Sequence, residues 1–396
     1  MRIFKRGYRL KNRILNKFKL MTKDIEVKRI VFLTGTRADY GKLKSLISIL
    51  DSSPNFEIFV FVTGMHMLSK YGSTHLEVDK SGFKNIFKFI NQNEGDNMDK
   101  ILVKTISGFS DYIKEISPNF ILVHGDRLEA LAGAIVGSFN NIITGHVEGG
   151  EVSGTIDEII RHSVSKLSQV HFVANEEAKR RLLQLGEEEE AIHVIGSPDI
   201  DIMNSNNLPS LEEVRSHYEF DFEKYAIILF HPVTTELPLL LDQVKEFVNQ
   251  VIDSKLNYIV IYPNNDPGSN IILNEYKRLE DNSNFKVYPS MRFEYFLTLL
   301  NNSLFIIGNS SAGIREAPHY GVPSVNIGSR QNGRVKCNLV INVEVNEIKT
   351  AIESALLFEH GKYNFFGDGN SAPKFFHVLN KSSFWEQKTQ KKFVDI

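Results

Sequence analysis

Short, almost wholly apolar runs recur along this chain. Each ends in a small or polar turn, and a stretch follows whose apolar residues return every three or four positions. The first run, Ile30–Thr34, stops at Thr34-Gly35-Thr36-Arg37-Ala38-Asp39-Tyr40-Gly41 and leads into a helix through about Leu50. Further runs read as strands over Glu57–Val62, Phe120–His124, Ile142–His146, Val170–Ala174 and His193–Ile195, with amphipathic helices such as Ile156–Leu167 and Glu176–Leu185 between them. A strand without polar alternation has no solvent face, so the pattern predicts parallel sheets covered by helices on both sides.

The pattern breaks at Gly196-Ser197-Pro198 and in the polar run Asn204–Pro209. It restarts with strands over Ala226–Phe230, Tyr258–Tyr262, Lys286–Tyr288, Leu304–Ile307 and Ser324–Ile327. We therefore expect an α/β fold of two Rossmann-like, doubly wound domains, residues 29–200 and 201–374, after an N-terminal extension over residues 1–28. In open α/β sheets ligands bind beyond the carboxyl ends of the strands. In the first domain those ends carry Thr36-Arg37-Ala38-Asp39, Thr63-Gly64-Met65-His66, His124-Gly125-Asp126-Arg127 and His146-Val147-Glu148-Gly149-Gly150-Glu151. In the second they carry His231-Pro232-Val233-Thr234-Thr235, Pro263-Asn264-Asn265-Asp266, Asn309-Ser310-Ser311 and Gly328-Ser329-Arg330. Any one of these is an ordinary turn or cap. Eight at the same end of their strands point to a site in the cleft between the domains.

The segment Ile307-Gly308-Asn309-Ser310-Ser311-Ala312-Gly313-Ile314-Arg315-Glu316-Ala317-Pro318 is the most specific of them. A buried strand meets a hydroxyl-rich turn and then a helix, whose free N–H groups and dipole favour an anion. Ser310 and Ser311 can cap a diphosphate, Arg330 and His231 can neutralise or hydrogen-bond it, and Glu316 can accept from a ribose diol. The competing reading is a helix cap after a core strand. Neither a GxxxxGK[ST] sequence nor a GxGxxG at the first helix occurs, which excludes P-loop chemistry and weakens a redox dinucleotide reading. The first domain supplies acids: Asp126, Glu148 and Asp157, with Glu151 and Arg161 close by. Asp157 and Arg161 lie four apart on one helix face, as a surface ion pair also would. Acids facing a diphosphate suit proton transfer at a sugar carbon. His66, His124 and His146 are near by topology, but their spacing is not that of a zinc motif, and we expect neither metal nor cofactor.

Composition narrows the class only a little. The 396 residues, 42% hydrophobic and 24% charged, describe an ordinary globular protein. Eight of the 46 basic residues and none of the 48 acids fall in the first twenty positions, which leaves 38 basic against 48 acidic residues in the remainder. So acidic a body is a poor general nucleic-acid binder. The basic segment lacks a signal-peptide core. It reads as a disordered tail, or as residues upstream of a start at Met21, with an interfacial helix as the alternative. The single cysteine, Cys337, excludes an intramolecular disulfide and fits a cytoplasmic protein. No apolar run approaches the ~20 residues that span a bilayer.

The motifs Thr34–Gly41, Val123–Arg127, His146–Asp157, Arg161-His162, His231–Thr235, Gly308–Ser311 and Gly367-Asp368-Gly369-Asn370 together resemble the hydrolysing UDP-N-acetylglucosamine 2-epimerases, from about residue 29 onward. The non-hydrolysing enzymes share the fold but carry proline where Ala38 stands. The resemblance implies a glycosyltransferase-B-like fold of two facing domains, with a last helix over residues 375–396 crossing back to the first. It implies anti elimination of UDP to 2-acetamidoglucal, then hydration to N-acetylmannosamine for sialic acid synthesis. It also implies a homodimer or homotetramer. Carried over by position, Arg37, Arg127, Asn264, Ser310, Ser311, Glu316 and Arg330 bind UDP. Asp126, Glu148, Asp157, Arg161 and His231 are the catalytic group, and His66 and Glu151 are further sugar contacts. Enzymes acting on UDP-2,4-diacetamido-2,4,6-trideoxy sugars, on the way to legionaminic acid, resemble the chain comparably, including at Gly328–Arg334. A glycosyltransferase of the same fold remains the alternative of another class.

Overall fold

Ile30, Val31 and Phe32 have no solvent exposure, as a strand buried on both faces requires. They form the middle of β1 (Lys28–Thr34), which lies in a seven-stranded sheet with β2 (Phe56–Val62), β3 (Asn85–Lys88), β4 (Phe120–His124), β5 (Ile143–Val147), β6 (Val170–Val173) and β7 (Ile192–Val194). The spatial order is β3-β2-β1-β4-β5-β6-β7. A second, six-stranded sheet holds β8 (Ala226–Leu229), β9 (Tyr258–Ile261), β10 (Phe285–Tyr288), β11 (Ile306–Gly308), β12 (Ser324–Ile327) and β13 (Val340–Val343), in the order β10-β9-β8-β11-β12-β13. Every strand pair in both sheets is parallel. This computed structural model describes residues 26–153, 156–334, 337–358 and 361–395. The expectations for residues 1–25, Met21 among them, and for Gly154 and Thr155 in the acidic loop lie outside the described residues.

Strand order reverses between β1 and β4 in the first sheet and between β8 and β11 in the second. At each reversal the loops leaving adjacent strands diverge and open a crevice. The two crevices face each other, which places the site before any side chain is considered. Two edge strands, β3 and β13, were not expected from the sequence. Both are four residues long and largely half-exposed, so they lack the continuous apolar signal of their neighbours.

Apolar side chains from distant parts of the chain complete the first core. The helix Ser371–Leu379 packs on the helices Arg37–Asp51 and Pro198–Met203. Phe375 meets Phe172 with ring centroids 4.7 Å apart, and Phe384 meets Phe120 at 5.3 Å. The expected helix over 375–396 is thus shorter and earlier. The Asp201 carboxylate caps its start, accepting from Ser371 N–H at 2.8 Å and Ala372 N–H at 2.6 Å. At the other end the polar run Asn380–Ser383 interrupts the apolar period, and the Trp385 indole N–H takes the Leu379 carbonyl at 2.9 Å. Where the chain passes from one sheet to the other and returns, it crosses itself at Gly196 and Gly367, with Ser197 N–H donating to the Phe366 carbonyl at 2.7 Å. A Cβ on Gly367 would lie 3.0 Å from the Gly196 Cα, so side chains there would hold the strands apart.

Candidate active site

The facing crevices enclose a cavity of about 300 Å³. Arg37, Asp126, Arg127, Glu148, Asp157 and Arg161 line it from the first sheet, and His231, Asn264, Ser310, Ser311, Glu316 and Arg330 from the second. The first turn is built by a cap. Thr36 accepts from Asp39 N–H at 3.2 Å, and the Asp39 carboxylate accepts from Gly35 N–H and Thr36 N–H at 3.0 and 3.1 Å. Asp39 therefore closes the helix start, which leaves Arg37 to face the cavity, where it bonds Ser290 at 2.8 Å and Glu77 at 2.7 Å. Arg127 reaches across to Asn265 at 2.8 Å.

Glu148 follows β5 with φ at +68°, a left-handed backbone that side chains other than glycine rarely adopt. The Glu148 N–H is anchored on the Phe172 carbonyl, and its carboxylate is surrounded by Arg315 at 2.8 Å, Lys42 at 3.0 Å and His124 at 3.4 Å. Burial alone would push this carboxyl up. Arg315, Lys42 and His124 outweigh burial and hold it well below the ordinary carboxylate range. Asp126 is likewise held low against its own burial, chiefly by Arg161, with which it pairs directly. Asp157 pairs across the cleft with Arg330 at 3.2 Å.

On the opposite wall Asn309 is the hub. Its side-chain oxygen accepts from His231 N–H at 2.6 Å, its amide donates to the His231 carbonyl at 2.9 Å, and its own carbonyl takes Arg330 at 3.2 Å and Gln331 at 2.7 Å. Gly308 just before it has no alternative, because a Cβ would fall 2.2 Å from the Leu229 carbonyl oxygen. The backbone N–H of Asn264 donates to His231 Nδ1 at 3.0 Å, which places the imidazole proton on Nε2. Burial, then Arg330 and Arg127, push the His231 pKa well below its usual value. It is therefore a neutral hydrogen-bond donor at physiological pH, not a cation. Ser310 caps the short turn Ser311–Gly313, accepting from Ala312 N–H at 3.3 Å. Glu316 is buried, and its Oε2 has no hydrogen-bond partner among the described residues. Burial raises its pKa although Lys42 lies 3.7 Å away. That oxygen is free to accept from a ligand.

Two expected sugar contacts do not line the cavity. His66 lies beneath the floor with no solvent exposure, its ring nitrogens bonded to Thr34 at 3.0 Å and Thr74 at 2.6 Å. Desolvation takes its pKa down to about 3. Glu151 turns inward and binds Arg315. Four residues that sequence reasoning did not assign to the site belong to this region. Lys42 also touches Asp199 at 3.6 Å, and Arg315 touches Asp199 at 3.4 Å while stacking on Phe366 at 4.5 Å. Arg334 lines the cavity beside Arg330. Lys42 had a readable signal, a charged residue inside the buried stripe Tyr40–Leu43 of its helix. Asp199 and Arg315 had none, because their meaning lies in cross-domain pairing.

The comparisons with known proteins agree with this geometry. A family model described as UDP-N-acetylglucosamine 2-epimerase matches residues 48–380. A UDP-N-acetylglucosamine 2-epimerase of Neisseria meningitidis serogroup B is 46% identical over 378 residues, covering 93% of this chain and 100% of that protein. A UDP-N,N'-diacetylbacillosamine 2-epimerase (hydrolyzing) of Legionella pneumophila is 34% identical over 360 residues, covering 89% and 96%. Among solved structures, the Methanocaldococcus jannaschii UDP-GlcNAc 2-epimerase in complex with UDP-GlcNAc and UDP superposes with a TM-score of 0.76 at 22% identity, covering 89% of this chain and 99% of that one. The Neisseria meningitidis UDP-GlcNAc 2-epimerase bound to UDP-GlcNAc gives 0.73 at 17%, with the same coverage. The structural likenesses speak to the two-domain fold. The sequence matches go further, and the protein belongs to the UDP-N-acetylglucosamine 2-epimerase family.

Proposed function

We propose that this enzyme is a hydrolysing UDP-N-acetylglucosamine 2-epimerase, producing N-acetylmannosamine and UDP for sialic acid synthesis. The observation that carries the reading is a single cavity with chemically opposite walls. Three carboxyl side chains, Asp126, Glu148 and Asp157, stand on one side, the first two held ionised by neighbouring cations. Diphosphate and diol partners, His231, Ser310, Ser311, Arg330 and Glu316, stand on the other. Arg37, Arg127 and Asn264 complete the nucleotide wall.

Glu148 or Asp126 takes the proton from carbon 2. The C–H electron pair becomes the C1–C2 double bond, the C1–O bond breaks, and UDP leaves with that pair. The His231 Nε2–H and Arg330 stabilise the departing diphosphate. Water then adds to 2-acetamidoglucal, its hydroxyl at carbon 1 and a proton at carbon 2 on the opposite face. The two steps balance with water alone, so they require no oxidant or reductant. Arg161 keeps Asp126 ionised, and Lys42 with Arg315 keeps Glu148 ionised.

The Legionella pneumophila relative supports a second reading, epimerisation of a 2,4-diacetamido-2,4,6-trideoxy sugar nucleotide. Charged groups around the sugar position, Asp126, Asp157, Arg161 and Arg330, favour hydroxyls over a methyl at carbon 6. As part of the same reading we place the protein in the cytoplasm as a homodimer or homotetramer, and we keep the division into domains 29–200 and 201–374. Among the described residues no helix is long and apolar enough to cross a membrane.

The test is proton NMR with UDP-N-acetylglucosamine in deuterated water, without added metal or NAD. We expect N-acetylmannosamine deuterated at carbon 2, with one UDP per turnover. Turnover of only the diacetamido substrate would move the pathway to legionaminic acid. Sugar transfer to an acceptor, with no free epimer, would replace the reading with a glycosyltransferase.

A further inference from the structure

Most arginines of the cleft arrive already neutralised. Arg37 pairs with Glu77, Arg127 with Glu129 and Asp266, Arg161 with Asp126, Arg315 with Glu148, and Arg330 with Asp157. Arg334 differs. It lines the same cavity, yet among the described residues its guanidinium has no ion-pair or hydrogen-bond partner, and its Nε is buried without one.

The chain holds it in place all the same. Gln331 and Arg330 fasten the start of the turn to the Asn309 carbonyl, beside Ser310 and Ser311. Asn332 N–H donates to Ser329 at 2.9 Å and Arg334 N–H to Gln331 at 3.3 Å, closing the turn. Burial, and then the neighbouring Arg161, lower the Arg334 pKa to about 10 against the opposing pull of Glu151 and Asp126, so it stays protonated at neutral pH at a cost in free energy. A half-buried cation with Arg161 close by, and with Glu151 and Asp126 beyond ion-pair distance, is placed to gain from an arriving anion. The anion that a UDP-sugar brings is its diphosphate. Arg330 meets that diphosphate with Asp157 already on it, whereas Arg334 offers a guanidinium with no direct ion pair among the described residues.

We propose that Arg334 is a catalytic residue that binds the β-phosphate of the nucleotide and takes up the charge arriving there when the C1–O bond breaks. In that step the bonding pair moves onto the bridging oxygen, and the β-phosphate gains one negative charge. The guanidinium, kept unpaired in the empty enzyme, gains more at that moment than the pre-paired arginines do. The proposal rests on the UDP-sugar reading of the cleft, and the experiment separates the two.

Calorimetric binding of UDP and of UMP is measured on the wild type, Arg334→Gln and Arg334→Lys, with kcat from UDP release. Because the lost contact is a charged hydrogen bond to the β-phosphate, Arg334→Gln weakens UDP by about 10- to 100-fold and UMP by less than about twofold. Its kcat falls about 100- to 1000-fold, as for removal of one preorganised donor at a developing charge. Arg334→Lys restores part of both. The ligand-free Arg334→Gln protein melts no lower than the wild type, because no native pair is lost, whereas a structural arginine would lower the melting point. Equal weakening of UDP and UMP, or unchanged UDP binding, would overturn the proposal, and so would a lowered melting point with UDP affinity retained. A wild type that binds neither nucleotide would instead sink the UDP-sugar reading itself.

Discussion

Replacing Arg315 with methionine removes the cation on which three buried carboxylates converge. Glu148 lies at 2.8 Å and Asp199 at 3.4 Å, Glu151 is bonded directly, and the guanidinium stacks on Phe366 at 4.5 Å. Methionine keeps most of the volume, so the loss is mainly electrostatic. Lys42 alone would then face Glu148, Asp199 and Glu316. Breaking a buried pair by removing one partner costs about 3–5 kcal/mol, which for domains of this size lowers the melting temperature by roughly 6–20 °C. The pH dependence gives a sharper test. In the wild type burial raises Glu148 and Asp199, but Arg315 and Lys42 more than reverse that. With folded pKa values below the unfolded ones, these groups contribute stability above pH ~4 and lose it only in stronger acid. In Arg315→Met the same carboxyls are buried against one another with folded values raised, so each destabilises when ionised, and that cost fades as pH falls. The difference in melting temperature is therefore largest near pH 7–8 and narrows toward pH 5. Scanning calorimetry of both proteins from pH 5 to 8 measures it. A gap worth under about 1 kcal/mol, or one that does not change with pH, would show that the cluster is not held by Arg315 as argued.

Glu148→Gln should lower kcat by about 100-fold or more and lower the melting temperature as well, because Arg315 and Lys42 lose the carboxylate they hold ionised; near-normal turnover of the folded variant would remove Glu148 from the chemistry. Glu316→Gln should raise KM for the UDP-sugar roughly 10-fold with kcat within about threefold, as expected of an acceptor that binds ground and transition states alike. A fall in kcat with KM unchanged would contradict the ribose role. Gly196→Ala forces a side chain onto a backbone at φ +89°, with its Cβ 3.0 Å from Ser371 Oγ. It should cost about 1–2 kcal/mol or slightly more in a denaturant melt, and an unchanged midpoint would show that the crossing is looser than described.

The parallel strands were readable because a strand covered on both faces leaves no polar alternation, and the strand-end residues were readable because parallel sheets put them all at one edge. β3 and β13 were not, since half-exposed four-residue strands carry little apolar signal. That Ser310, Ser311 and Glu316 line the cavity was legible, because they lie close together in sequence after a buried strand. The charge cluster was not. Lys42, Glu148, Asp199 and Arg315 come from four separate segments; Glu148 reads as a site acid, but nothing in the sequence pairs it with Lys42, Asp199 and Arg315. His66 misled for the converse reason. It follows β2 at the expected edge, but the 3-10 turn Gly64–Met67 swings its ring downward, where two threonine hydroxyls satisfy it.

The crossing at Gly196 and Gly367 has a consequence for how the chain is made. The core under β1 and β4 includes Phe375, Leu379 and Phe384, which leave the ribosome long after the strands they cover. One face of the six-stranded sheet draws its core from a single stretch, Ala226 to Ala355, and the other face uses residues no later than Phe366. During synthesis the later-made sheet can therefore close first, while the earlier-made sheet waits with an apolar face open. That face is where a chaperone would find this protein, and a stalled or shortened message would leave it exposed.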